Sequence, residues 1–194
     1  KPYGMMLVTG PTGSGKTSDM GYILSRISKD KRIITIEDTR ELTLAQFDDN
    51  DVMVNDVIHL LTKEEPNPIT MLDLLKLSLR LHPAVLVPAE MRGKEALTVQ
   101  EAGRTGHTIV STLHANSARA AYDRILTMCL EAGTSLSEER LLKNIVEAFP
   151  IMLFKMQLPD KSRKYMEIFE ATGVKDGEVT GSTLFKFAVD HYEK

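Results

Sequence analysis

GPTGSGKT, Gly10 to Thr17, is a run built to hold a phosphate. It satisfies G-x-x-x-x-G-K-[ST] at every position. The glycines let successive backbone N–H groups turn inward around an anion with no side chain in the way. A helix opening from the end of the run would present its positive end to the same anion. Lys16 would reach the β- and γ-phosphates, and the Thr17 hydroxyl is placed to ligate Mg2+. Pro11, Thr12, Gly13, Ser14, Gly15 and Ser18 complete the expected nucleotide cradle. The bland alternative is a chance glycine-rich turn. It fails on context, because an apolar strand (MMLV) precedes the run and an amphipathic helix follows it. No guanine-selective N-K-x-D occurs, which favours ATP over GTP.

Four further residues could act on that phosphate. Glu37 ends RIITIE, Glu90 follows AVLV, and His114 ends HTIVSTLH. Ligands bind at the carboxyl ends of strands in parallel α/β sheets, so all three should share an edge with Lys16. Each has an ordinary reading. Glu37 could be a solvated strand exit with Asp38 capping a turn. Glu90 could pair with Arg92 or Lys94 at the surface, and His114 could cap the next loop. With the phosphate loop upstream, the functional reading outweighs these. Of the candidate arginines, Arg92 beside Glu90 has a better claim than Arg104. His107 starts its strand roughly 20 Å from His114, at about 3.3 Å per residue, and reads as structural.

The elements that must position these groups follow from periodicity. Met20, Ile23, Leu24 and Ile27 form one face of a helix from Lys16. VMVNDVIHLL reads as a strand within a longer excursion. Thr70 and Asp73 resemble a capping box opening a leucine-rich helix, which Pro83 stops near His82. Further helices are expected over about 94–102, from Ser117 toward Glu131 with Gly133 as its stop, and over 137–149. The tail changes character: IMLFKMQL, YMEIFEATGV and STLFKFAV look like strands joined by PDKSRK and KDGE. Alternating strands and helices followed by this tail predict an α/β fold. Its sheet is mostly parallel and flanked by helices, with antiparallel strands added at the C-terminus.

Bulk composition narrows the class. The 194 residues are 42% hydrophobic and 26% charged, as in a globular domain, and the net charge of −3 gives no footprint for nucleic acid. The one cysteine, Cys129, sits on an apolar helix face and reads as a small buried residue; no intrachain disulfide is possible. No run approaches the length of a membrane span. The chain opens on Lys1 and enters a strand almost at once, so a longer natural protein with an N-terminal region upstream is expected.

Together GPTGSGKT, ITIEDTRELTL, LRLHPAVLVPAEMRGKEAL and TGHTIVSTLHANSARAAYDRI resemble, in order and spacing, the Walker A, Asp, Walker B and His boxes of the secretion ATPase superfamily. These are the motors of type II secretion, type IV pili and type IV secretion. The tail is similar to that of the tight-adherence (Tad) pilus branch. No paired CxxC of the type II zinc element occurs. The resemblance implies a C-terminal RecA-like motor domain over 1–194, with core 1–133 and a tail 134–194 packed on it. It implies a homo-hexamer in the full-length protein, ATP and Mg2+ as cofactors, and inner-membrane platform proteins as partners. It implies a cytoplasmic protein peripheral to the inner membrane, with no direct nucleic-acid contact. Carried onto this chain, Lys16 and Thr17 bind ATP and magnesium. Glu37 orients the attacking water, and Glu90 holds the magnesium, directly or through water, or shares the base role. His114 contacts the phosphate side, and Arg92 neutralises charge in the transition state.

The chain departs from the family pattern at Ala84 and at Pro88-Ala89, where a VGE-like step is usual. Pro88 cannot donate to a ladder and should end its strand. Ala89 adds a methyl group where glycine would admit closer backbone approach. Two other readings use the same residues: a nucleotide-binding switch with little hydrolysis, and a RecA-like DNA translocase.

Overall fold

The computed structural model describes residues 5–188. Its framework is one eight-stranded sheet. In chain order the elements are β1 (Met6–Thr9), α1 (Lys16–Ser25), β2 (Ile33–Glu37), β3 (Val57–Leu61), α2 (Met71–Ser78), β4 (Val85–Pro88), α3 (Glu95–Arg104) and β5 (Thr108–Leu113). Then come α4 (Ala118–Glu131), α5 (Glu138–Ala148), β6 (Ile151–Gln157), β7 (Arg163–Lys175) and β8 (Glu178–Lys186). The strands lie in the order β3-β2-β4-β5-β1-β6-β7-β8. The first six positions in that order are joined by parallel pairings, and β7 and β8 are antiparallel.

The α/β architecture expected from the sequence is therefore present, with one refinement in the tail. IMLFKMQ does not begin the antiparallel set. It pairs parallel with β1, Met6 opposite Ile151 through Thr9 opposite Phe154. The strand carrying the phosphate loop is thus flanked on both sides. The excursion before β3 is also shorter in strand than VMVNDVIHLL suggested, since only Val57–Leu61 joins the sheet.

Central strands are buried on both faces, which is why they read as continuous apolar runs. Side chains alternate faces along a strand. Val85 and Val87 meet Met20 and Leu24 of α1 with Leu42 and Leu44, whereas Leu86 faces the larger core formed with α2 to α5. Tyr122, Ile125, Leu141, Ile145 and Phe149 fill that larger core. Cys129 is fully buried there, and burial pushes its thiol up to about 12. Local signals hold where they were specific. Thr70 and Asp73 form a reciprocal capping box, Ser117 accepts from Ala120 N–H, and Ser137 accepts from Arg140 N–H. Asp176-Gly177 turns β7 into β8 with positive φ at both residues.

Pro88 ends β4 as expected, and the way it does so shapes the site. β4 stays in register with β2 through Pro88, but with β5 only over Val85 and Leu86. The N–H groups of Val85 and Ala89 donate toward β2, to Arg32 and Ile36 carbonyls. By alternation, the donor that proline lacks would have faced β5, where the ladder has already opened. Side-chain hydroxyls span the gap. Ser111 Oγ donates to the Pro88 carbonyl, and Thr112 Oγ1 donates to the Ala89 carbonyl at 2.8 Å.

The close packing of β6 against the loop is testable at Gly10. Its φ is +147°, and a Cβ there would lie 2.0 Å from the Lys155 carbonyl oxygen. The clash is with strand backbone, which cannot turn aside as a side chain could. Gly10→Ala is expected to cost roughly 2–3 kcal/mol, read as a lower urea midpoint at unchanged slope.

Candidate active site

Three strand ends and one turn build a single cavity of about 590 Å³ at the carboxyl edge of the sheet. The turn between β1 and α1 supplies Thr12, Gly13, Gly15, Lys16, Thr17 and Ser18 to its wall. Glu37 arrives from the end of β2, Glu90 and Arg92 from the segment after β4, and His114 from the end of β5. Because β1, β5, β4 and β2 are neighbours in the sheet, residues far apart in sequence converge here. Pro11 and Ser14 do not line this cavity. The Ser14 side chain is buried, and the Pro11 carbonyl turns toward Lys16.

Among the described residues no carboxylate is in hydrogen-bond contact with the buried Lys16 ammonium. It donates to the carbonyls of Gly10 at 2.9 Å and Pro11 at 3.1 Å, and lies 3.4 Å from His114 Nδ1. Burial pushes its pKa below the ordinary lysine range, and the Glu90 charge opposes that shift. The same histidine reaches the other way, with Nε2 3.0 Å from Glu90 Oε1. Nδ1 can accept from the lysine when it carries no proton, whereas the Nε2 contact is an ion-pair distance without hydrogen-bond geometry, and Glu90 Oε1 has no hydrogen-bond partner among the described residues. Glu90 Oε2 takes Arg92 at 2.6 Å, and Arg92 also reaches Asp38 at 3.2 Å. One chain of contacts therefore runs Lys16–His114–Glu90–Arg92–Asp38.

Burial alone would raise the Glu90 carboxyl. The Arg92 hydrogen bond and charge outweigh it, helped by His114 and Lys16, and hold Glu90 below the usual range. Glu37 is differently engaged. It is 2% exposed, and its Oε1 accepts from the N–H groups of Glu41 and Leu42, each at 3.0 Å. Its Oε2 accepts from Thr35 Oγ1 at 3.2 Å. The carboxylate thus pins the loop that carries Asp38, Thr39 and Glu41 along the cavity wall. His107 and Arg104 lie elsewhere: the His107 ring meets the Ala102 carbonyl, and Arg104 pairs with Glu147.

Residues not singled out from sequence also line the cavity. Asp38, read as a turn cap, instead holds Arg92. Thr112 contributes from the opened ladder, beside Ala89, which the sequence marked only as a departure from the family pattern. Arg163, read as turn material, reaches in from the start of β7. Nothing local marked it, because its role depends on β6 lying beside β1.

Over residues 1–154 the sequence matches the family described as type II/IV secretion system protein. The chain belongs to that family. It is 32% identical over 194 residues to the type IV pilus assembly ATPase PilB of Thermus thermophilus, covering 96% of this chain and 20% of that protein. It is 35% identical over 154 residues to the type IV secretion system protein VirB11 of Brucella suis, covering 74% and 41%. The crystal structure of the VirB11 ATPase from the Brucella suis type IV secretion system, in complex with sulphate, superposes with a TM-score of 0.74 at 28% identity. It covers 86% of this chain and 48% of that one. The pilus retraction motor PilT with bound ADP gives 0.62 at 26% identity, covering 93% and 46%. The chain spans about a fifth to two fifths of the length of these two curated relatives. These matches show the family and not a branch within it.

The Glu90 contacts carry a pH signature. A carboxyl whose folded pKa is depressed contributes stability above its unfolded pKa, near 4.5, and loses it as pH falls through the lower folded value. Glu90→Gln should therefore be less stable than wild type near pH 7, by on the order of 1 kcal/mol. The gap should narrow below about pH 4.5, as wild type loses that contribution. Chemical denaturation at a series of pH values measures it.

Proposed function

We propose that this chain is the ATP-hydrolysing motor domain of a hexameric secretion or pilus-assembly ATPase. The observation that carries the reading is the convergence of Lys16, Thr17 and the phosphate-loop glycines Gly13 and Gly15 with Glu90 and His114 on one cavity at the sheet's carboxyl edge. In the full-length protein the domain would sit behind an N-terminal region and work in the cytoplasm at the inner membrane, against platform proteins. Among the described residues no helix is long and apolar enough to cross a membrane.

The geometry suggests how binding and chemistry are linked. Lys16 holds two loop carbonyls and a histidine, and phosphate oxygens would replace these neutral acceptors with charged ones, about twice as strong. The backbone N–H groups from Gly13 to Ser18 would cradle the same phosphates. When Lys16 swings to phosphate, His114 Nδ1 loses a partner, so the histidine senses occupancy. Its other nitrogen transmits that to Glu90, which orients the attacking water once released. Arg92 and Asp38 hold Glu90 in place until then, and Arg92 is available to developing charge. Glu37 acts as a positioning residue, fixing the loop over the cavity.

Magnesium fits the donors present. The Thr17 hydroxyl and Glu90 carboxylate both line the cavity, an oxygen-only pair of the kind Mg2+ accepts when phosphate and water complete its shell. Among the described residues no group of three or more His, Cys, Asp or Glu side chains could hold a metal alone. Binding would then depend on the nucleotide's own oxygens. The ion, when bound, would offset phosphate charge.

In the full-length hexamer, Lys16→Ala is expected to abolish ATP turnover. Glu90→Gln should keep ATP binding while lowering kcat by on the order of 10²-fold. Steady-state phosphate release together with ATP-binding titrations separates the two. Undiminished turnover in Lys16→Ala would refute the motor reading.

A further inference from the structure

Three cations line the nucleotide cavity besides His114, and they differ in what already holds them. Lys16 is bonded to loop carbonyls, and Arg92 is engaged by two carboxylates. Arg163 is anchored by a neutral acceptor: its Nε donates to the Gly13 carbonyl at 2.9 Å. Among the described residues no carboxylate contacts it and no acceptor holds its two terminal NH2 groups, which lie at an exposed rim. An arginine fork in that state is suited to bidentate capture of phosphate.

Its stem is seated as well. A Cβ on Gly15 would lie 3.0 Å from Arg163 Cδ and 3.5 Å from Nε, so the side chain lies across the loop where only glycine leaves room. The φ of Gly15 is +85°, which demands glycine independently. The strand that delivers Arg163 is fixed to the same helix that the loop opens. Asp19 of α1 accepts from both Lys155 of β6 and Tyr165 of β7, each at 2.5 Å. Lys155 is 7% exposed, so this is a built junction rather than a surface contact.

Position in the sheet says which phosphates it meets. Glu90 and His114 leave β4 and β5, on one side of β1, while Arg163 comes from the opposite side through β6 and β7. Glu90 and the Lys16 side belong with the γ-phosphate, where hydrolysis occurs. The Gly13–Gly15 backbone, which Arg163 overlies, cradles the α- and β-phosphates. The geometry points to Arg163 as a clamp, supplied in cis by the C-terminal hairpin, on the α/β-diphosphate of the bound nucleotide. This rests on the nucleotide-binding reading above and adds a binding residue from a part of the chain outside the four boxes. It holds ATP and ADP alike, so it retains product rather than distinguishing it from substrate.

The test uses the full-length protein, with ADP, ATP and inorganic pyrophosphate as ligands competing against a fluorescent ADP. Arg163→Ala should weaken all three by about tenfold or more, the scale of a lost charged hydrogen-bond pair. Arg163→Lys should recover part of the loss. The nucleotide-free melting temperature should not change, because the side chain is exposed. Wild type should also lose ADP affinity more steeply with added salt than Arg163→Ala does. Unchanged affinities would overturn the clamp. So would weakening of ATP alone, which would place Arg163 on the γ-phosphate, or weakening of ADP with pyrophosphate unaffected, which would place it on the nucleoside. If wild type binds nucleotide and Lys16→Ala does not, the nucleotide reading stands whichever way Arg163 behaves.

Discussion

A buried ammonium with no carboxylate on it is the constraint around which this molecule is arranged. Lys16 is largely buried, and desolvating a charge without partners is costly. The loop itself supplies two carbonyls and β5 supplies a histidine. That arrangement requires β1 and β5 to be adjacent and in register, Met6 opposite Val110 through Thr9 opposite Leu113. A slip of one residue would turn His114 to the other face of the sheet. The histidine then ties Lys16 to Glu90, and Glu90 ties β4 to the loop after β2 through Arg92 and Asp38. Each link uses a neighbouring strand, so the sheet order and the polar chain specify each other.

The cavity exists because the sheet comes apart at the right place. β4 and β5 part company after Leu86 and Ile109, a split that would leave two rows of unpaired backbone groups facing each other. Proline at position 88 has no donor to leave unpaired. Ser111 and Thr112 satisfy the Pro88 and Ala89 carbonyls, and Met91 N–H returns to the Thr112 carbonyl at 2.9 Å. A departure from the family pattern thus has a local physical account: the missing N–H falls where no ladder partner is available. The Ala89 methyl is absorbed on the α1 face, packed with Val85, Val87 and their neighbours.

What could be read from sequence divides along the same physical line. Features set by contiguous residues were legible: the phosphate loop, the capping box at Thr70, the serine caps at 117 and 137, and the turn at Asp176. The strand-end rule also worked, because it turns a linear position into a spatial edge without needing the strand order. It brought Glu37, Glu90 and His114 to one cavity. It could not say what each carboxylate would touch. Glu37 and Glu90 looked alike as strand-end acids, yet one is spent on loop N–H groups and the other on an arginine and a histidine. Arg163 was invisible for a stronger reason. Its claim depends on β6 running parallel to β1, and a short apolar strand after a helix carries no mark of its pairing direction.

That pairing changes what the tail is for. A hairpin appended at a distant edge would stabilise the sheet and leave the site alone. Here the Lys155 carbonyl closes against Gly10, Lys155 and Tyr165 converge on Asp19, and Arg163 lies over Gly13 and Gly15. The phosphate loop is therefore gripped on one side by β5 and on the other by β6 and β7. Charge is divided between the two grips. On the proposed reading, the β5 and β4 side holds a histidine, a glutamate and a paired arginine by the reacting phosphate. The β6 and β7 side would hold the rest of the nucleotide with Arg163, which no carboxylate among the described residues contacts. A site built this way separates holding from cutting across the width of one strand, and any motion of the C-terminal hairpin would reach the nucleotide without passing through the residues that act on the reacting phosphate.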